Sequence, residues 1–320
     1  MNAPGAKLSA NVRGILFMVT AAALLTSMST MVRTLIDTIP PVEVAFLRNF
    51  LGLVMLVPIL ARNGLEPFRT RMIPFMALRG AFNAAAMVLY FVALGMIPLS
   101  EITALNFTTP LFVALIAVPV FKERLGPRRI ASLVVGFSGT LIILRPGVEV
   151  ISLGAIYALG AAATWSTAIM IIKHMSRTES SVTITLYGMV FLGLFTMIPA
   201  LFVWTWPSLE QAGVLVLIAA AGTCGQILFA QALKSADIGL VMPFDFTKLI
   251  WASLFGFLFF AEIPSAWALV GGTVIFASAT YVTIREQRAG KSPPVAAPAI
   301  PSGAETEPPR VNLRSTAGEP

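Results

Sequence analysis

Cysteine and histidine are almost missing from this chain of 320 residues: Cys224 and His174 stand alone. No intramolecular disulfide can form, and Cys224, inside an apolar run, is expected to be a buried, inert thiol. A histidine-based metal site or a Cys/His nucleophilic pair needs more partners than the chain offers, so neither metal nor cofactor is expected and a membrane-embedded enzyme is disfavoured. Charge is scarce too, at 12% of residues, against about 25% in soluble domains. With 57% hydrophobic residues and a mean hydropathy of +0.85, too little polar surface remains to cover a water-soluble body. The chain reads as an integral membrane protein with lipid as its main solvent.

The net charge of +7 lies mostly in short loops between apolar runs, with no basic stripe carrying interleaved aromatics. That is a topology signal and excludes nucleic acid as a partner. The sequence holds no GxxxxGK[ST] phosphate loop, so any transport work must draw on a gradient or on exchange. The first apolar run, of about twenty residues, is too long for a cleaved signal peptide and reads as a first span.

What is present is a series of apolar runs long enough to cross about 30 Å of hydrocarbon. Ten are read, at approximately 14–34, 42–60, 73–95, 100–121, 129–145, 153–173, 182–204, 212–233, 238–260 and 265–284. Tight links, IPLSE after the third and AEIPS after the ninth, predict antiparallel packing of the runs they join. Lysine and arginine crowd one side, including Lys7, Arg13, Lys122, Arg124, Lys173 and Arg288, while Arg145 and Arg33 fall on the other. The positive-inside rule then puts both termini in the cytoplasm. Residues 1–13 form a cytoplasmic arm, and 289–320, rich in proline, alanine and small polar residues, a disordered cytoplasmic tail.

The chain repeats itself. A shift of 139 residues lays LNFTTPLFVALIAVPVFKERL (105–125) over PFDFTKLIWASLFGFLFFAEIP (243–264), matching Phe107 and Thr108 to Phe246 and Thr247, and Glu123 to Glu262. The first copy ends in KERLGPRR and the second in AEIPSAW, without a basic residue. Equivalent ends thus face opposite sides, as two five-helix halves must when each crosses an odd number of times. Inverted repeats of this kind are a signature of secondary transporters.

These segments, with GFSGTLIIL after the first and GGTVIFASATYV near the end of the second, resemble the drug/metabolite transporter superfamily, specifically proteins with two EamA-type domains. The resemblance spans residues 14–285. It implies an all-α membrane fold of ten transmembrane helices as two inverted five-helix repeats, 14–145 and 153–285, with Glu123 and Glu262 at the exits of the fourth and ninth helices. It implies transport of a small molecule, in a superfamily whose substrates include amino acids, sugars, nucleotide-linked compounds, riboflavin, S-adenosylmethionine and drugs. Lys248–Leu249 stands where the commoner pattern has Pro-Val or Pro-Ile, which marks a subgroup with its own polar site.

An ionisable group within a span costs about 2.5–3.5 kcal/mol on insertion scales. Four such groups stand out: Arg48, Arg79, Asp245 and Lys248. Asp245 and Lys248, three apart, share a helix face. They form either a self-neutralising ion pair or a cationic point, tuned by Asp245, that attracts an anionic substrate group. Three cations against one anion favour a carboxylate- or phosphate-bearing substrate. Arg79 either snorkels to the cytoplasmic face or gates, and Arg48 either pairs with Asp37 or Glu43, reaches the outer interface, or meets substrate. Asn106 and Thr109 fall opposite Asp245 and Lys248 in the repeat. Pro110 and Pro243 free backbone carbonyls there, tolerable only in protein interior or a wet cavity. Gln226 adds hydrogen-bonding capacity, and Tyr90 and Trp165 offer aromatic faces. The small-residue runs at 136–139, 160–163 and 271–272 allow close helix approach.

The expectation is a secondary transporter of the bacterial inner membrane, monomer or loose homodimer, moving a small polar or amphiphilic metabolite by alternating access. An importer of the riboflavin or S-adenosylmethionine type is the alternative to an exporter. A non-transporting receptor or assembly subunit is the rival class.

Overall fold

The computed structural model describes residues 10–62, 70, 72–121, 127–146, 150–176, 178–179, 181–236 and 238–288. The expectations for Lys7, for Glu123 and for the 289–320 tail lie outside the described residues. Among the described residues the protein is built of helices: α1 (Ala10–Leu35), α2 (Pro41–Arg62), α3 (Ile73–Leu94), α4 (Leu99–Asn106), α5 (Thr109–Phe121), α6 (Pro127–Leu144), α7 (Leu153–Met175), α8 (Ser181–Phe202), α9 (Leu209–Ser235), α10 (Ile238–Val241), α11 (Thr247–Phe260) and α12 (Ala266–Arg288). A 3-10 turn, Met242–Phe246, joins α10 to α11. Within the described residues, seven helical stretches are long and apolar enough to cross a membrane, and Ile130–Leu144 and Ala266–Tyr281 are shorter apolar helices.

The fourth and ninth apolar runs are therefore broken rather than continuous. Each has a proline where the break falls: Pro110 at the second position of α5, and Pro243 in the 3-10 turn. A proline has no N–H to donate and its ring clashes with the preceding turn, so the helix restarts there.

Helices pack across the two halves of the chain more than along it. The most extensive contacts join α1 to α9, α3 to α7, and α6 to α12; α3 and α2 also lie along α8, α2 along α9, α5 along α7, and α1 along α11. The AEIPS link does not lay α12 chiefly along α11. Instead α12 lies against α6 and α4. Small residues set this crossing: a Cβ on Gly139 would lie 2.7 Å from the carbonyl oxygen of Gly271, and one on Gly271 would lie 2.5 Å from that of Gly139. Only glycine lets backbones approach so closely in a membrane, where van der Waals packing drives association.

α4 is the most enclosed element: Leu99, Ile102, Ala104 and Leu105 are fully buried. Outer faces carry large apolar side chains, such as Leu141, Leu201 and Phe257 to Phe259, as a lipid-facing surface requires. Cys224 belongs to that surface. It is exposed, next to exposed Leu217 on the same side of α9, so the expectation of a buried thiol is corrected. In lipid an apolar residue gains nothing by turning inward.

Candidate functional site

The two helix breaks are built alike and meet. Thr108 Oγ1 donates to the Leu105 carbonyl at 2.6 Å, and Thr247 Oγ1 donates to the Phe244 carbonyl at 2.7 Å. Each threonine satisfies a carbonyl three residues back, as an interrupted helix needs in a medium without water. Phe107 and Phe246, the residues just before these threonines, stack with centroids 5.7 Å apart, and Phe276 packs on both. Asn106 is exposed although Leu105, Phe107 and Thr108 beside it are buried. Thr109 Oγ1 donates to the Asn106 carbonyl at 2.8 Å, and Ser166 of α7 donates to the Thr109 carbonyl at 2.9 Å.

At the other break Lys248 Nζ lies 2.6 Å from Asp245 Oδ1. The same ammonium sits over the ring of Phe229 in α9, 5.3 Å from its centroid. The ion pair the spacing suggested thus forms, and the lysine has an aromatic face as a second partner.

Gly222, Gln226 and Phe229 stand at i, i+4 and i+7, one stripe of α9. That stripe lies on the buried side, with Leu215, Ile218, Ala219 and Ala230; Val216, Leu217 and Cys224 face outward. Gln226 is exposed nonetheless, although Leu215, Ile218 and Ala219 on the same side are buried. At one end of the stripe is Lys248 over Phe229. At the other is Arg48 of α2: a Cβ on Gly222 would fall 2.8 Å from Arg48 Nη2 and 2.7 Å from Met28 Sδ. The stripe covers about 10 Å of helix axis at about 1.5 Å per residue.

Arg48 is only 8% exposed, and its Nε is buried without an acceptor. It pairs with neither acid the sequence offered. Glu43 turns instead to Thr205, accepting from its N–H and Oγ1, each at 2.9 Å, and Asp37 is exposed at the end of α1.

The remaining candidates are spread out. Tyr90 of α3 shares a hydrogen bond of 3.3 Å with Ser29 of α1. Trp165 packs with Val113, Ala117 and Ile169, against α5. Arg79 lies apart, between α3 and α8: it is 4% exposed and donates to the Ile184 carbonyl at 2.6 Å. A Cβ on Gly188 would fall 1.2 Å from its Nη1, so that glycine makes its berth.

A polar cluster outside the candidate set involves two residues noted for other reasons. Glu262 Oε1 lies 2.6 Å from Arg33 Nη2, and its Oε2 accepts from the Leu99 N–H, the first of α4, at 3.0 Å. Arg33 also donates to the Ile97 carbonyl at 3.3 Å and sits 4.5 Å over the ring of Phe260. The glutamate at the exit of α11 thus caps a helix of the other half. Its place in the repeated motif was the available signal; its partners, 163 and 229 residues away, left none.

A family model described as "EamA-like transporter family" matches residues 12–145 and 152–284. The riboflavin transporter of Brucella anthropi is 30% identical over 254 residues, covering 76% of this chain and 88% of that protein. An S-adenosylmethionine uptake transporter of Rickettsia bellii is 25% identical over 248 residues, covering 77% and 85%. The pseudopaline exporter CntI of Pseudomonas aeruginosa is 26% identical over 268 residues, covering 82% and 93%. A solved crystal structure superposes with a TM-score of 0.58 at 16% identity, over 86% of this chain and 98% of that one, which marks a shared fold. Both halves of the chain, with their broken helices, fall under one family model, and the protein belongs to the EamA-like transporter family.

Proposed function

We propose that this protein is a secondary transporter of the bacterial inner membrane that moves a small polar or amphiphilic metabolite by alternating access. The observation that carries the proposal is the pair of matched helix breaks. Thr108 and Thr247 make the same bond 139 residues apart, and Phe107 and Phe246 stack where the halves meet. Broken helices bring polar backbone and side chains to mid-membrane, where transporters of inverted-repeat design place their substrate.

Ten spans result when α4 with α5, and α10 with α11, each count as one crossing. The contacts support two inverted repeats: exchanging the halves turns α1–α9 into α7–α3, α1–α11 into α7–α5, and α3–α8 into α9–α2. α2–α8 and α6–α12 map onto themselves. Both termini then lie in the cytoplasm, by the distribution of lysine and arginine.

Substrate contacts fall to Asn106, Thr109, Gln226, Asp245 and Lys248, with Tyr90 and Trp165 as aromatic walls and Arg79 as a gate-side group. A substrate bearing a carboxylate or phosphate is in keeping with the surplus of intramembrane cations. Relatives named as a riboflavin transporter, an S-adenosylmethionine uptake transporter and a pseudopaline exporter span both directions, so the test reads both. Purified protein in liposomes is offered a panel of anionic and zwitterionic metabolites, outside or preloaded, and Lys248→Ala is run beside the wild type. Flux of one class that falls at least tenfold in the variant is the expected result. Unchanged flux in the variant removes Lys248 from the site. A wild type that moves nothing in either direction returns the protein to the class of receptors or assembly subunits.

A further inference from the structure

The intramembrane charges are not equally compensated. Lys248 is held by Asp245 at 2.6 Å and by the Phe229 ring. Arg79 has the Ile184 carbonyl at 2.6 Å. Arg48 alone of the three has neither hydrogen bond nor ion pair among the described residues, although it is 8% exposed and its Nε is sealed from solvent. The acids near it in sequence make no ion pair with it: Glu43 gives Oε2 to Thr205 in two hydrogen bonds while its Oε1 stays buried without a hydrogen bond, and Asp37 is exposed. A guanidinium cannot shed its proton to escape burial, because its intrinsic affinity for protons is too high. A buried arginine left unpaired is costly, and the cost falls when an anion arrives.

The surroundings fit a ligand better than a structural partner. Arg48 reaches α9 at Gly222, where any side chain would meet its Nη2 and Nε at 2.8 and 3.1 Å. One turn on, Gln226 is exposed on the same buried stripe. The unpaired guanidinium therefore lies one turn of α9 from an exposed amide. We propose that Arg48 is the anion-recognising residue of the transport site, taking a carboxylate or phosphate of the substrate in a forked hydrogen bond. Gln226 then reads a neutral polar part of the same molecule, and the Lys248–Asp245 pair, some two turns further along α9, meets its other end. This deepens, and rests on, the transporter reading above. It moves the anionic pole from Lys248 to Arg48. Arginine suits the task because its planar fork matches both oxyanions with two parallel bonds.

The test uses matched probes that differ by one anionic group: pantothenate against panthenol, and riboflavin 5′-phosphate against riboflavin. Binding to the purified full-length protein is measured by ligand-dependent thermal stabilisation and by quenching of tryptophan fluorescence. The wild type should prefer the anionic member of at least one pair by tenfold or more. Arg48→Gln should bring that preference close to one, chiefly by weakening the anionic member; Arg48→Lys should keep part of it. Gly222→Ala, which retains the charge but occupies its berth, should weaken the same preference. Arg48→Gln removes a buried charge, so it is expected to fold at least as well as the wild type. No anionic preference in either pair, or a preference that survives Arg48→Gln, overturns the proposal.

A lipid headgroup could supply the same phosphate. The protein is therefore compared in phosphatidylcholine vesicles with and without phosphatidylglycerol, in the absence of solute. Stabilisation by phosphatidylglycerol that depends on Arg48 assigns the site to lipid and refutes the solute reading. The two levels of inference separate cleanly. Panthenol or riboflavin flux with no Arg48-dependent anion preference leaves the transporter and refutes the site, whereas Arg48-dependent binding without flux does the reverse.

Discussion

Glu262 offers the sharpest test of how the halves are joined. Glu262→Gln keeps an oxygen for the Leu99 N–H but removes the charge facing Arg33; Glu262→Ala removes both. Both side chains of the pair are under one-fifth exposed, so screening is weaker than for a surface pair. Hydrogen bonds to charged groups contribute about 1.5–3 kcal/mol, with the low end apt for a partly exposed pair. Losing a helix cap costs about 1 kcal/mol more. Arg33 retains the Ile97 carbonyl and the Phe260 ring, which limits the damage. The alanine variant should therefore lose about 3 kcal/mol and the glutamine variant about half of that. At about 2 °C per kcal/mol, the low end for larger domains, the shifts are about 6 °C and 3 °C in Tm. Thermal unfolding of the detergent-purified protein, followed by tryptophan fluorescence, reads both. Arg33→Ala completes a double-mutant cycle. A Tm for Glu262→Ala within a degree of wild type refutes the reasoning, and so do strictly additive effects of the two alanine substitutions.

Four further outcomes follow from the same geometry. Gly188→Ala drives Arg79 from its berth and its bond to Ile184, and should cost about 2 kcal/mol in a thermal melt; a wild-type melt refutes the berth. Gly139→Leu or Gly271→Leu cannot be accommodated at the α6–α12 crossing, and yields of folded protein by size-exclusion chromatography should collapse; an undiminished monodisperse peak contradicts the contact. Cys224 on the outer face of α9 should accept replacement by leucine, with Tm within about a degree of wild type, and a loss of the size a buried, close-packed site shows on enlargement would place it inside. Asp245→Asn removes the charge that holds Lys248 at 2.6 Å and should lower flux in the liposome assay by tenfold or more; flux equal to wild type removes the pair from the site.

Much of the fold was legible because lipid imposes strong rules on a sequence. Apolar runs must be long, loops short and basic residues one-sided, so helix positions follow from composition alone. The shift that lays Phe107 and Thr108 on Phe246 and Thr247 pointed to the places where the two breaks fall, since threonine there has a backbone reason to recur. Neighbours were harder to see. Nothing local in α1 says that it lies along α9 and α11, because in hydrocarbon one apolar helix face resembles another and only shape selects the partner. The same indifference misled the reading of Cys224. Among site residues, Asp245 and Lys248 declare their pairing through spacing. Arg48 gave no such sign, since its lack of a partner is a fact about every element around it.

The cross-packing of the halves also has a consequence in time. Leu35 closes α1, and the first residue of its main neighbour, Leu209 of α9, comes 174 positions later. At about 5–20 residues per second, a ribosome takes about 10–35 s to cover that stretch. During the interval α1 waits in the bilayer with the face that bears Gly14 and Met18 turned to lipid or to the insertion machinery, and the Arg48 side chain waits without α9 beside it. A chain stopped after residue 145 would hold six helices, α1 to α6, whose most extensive contacts were never made. The faces of α6 are left open longest, because α12, their main partner, is the last helix to be made.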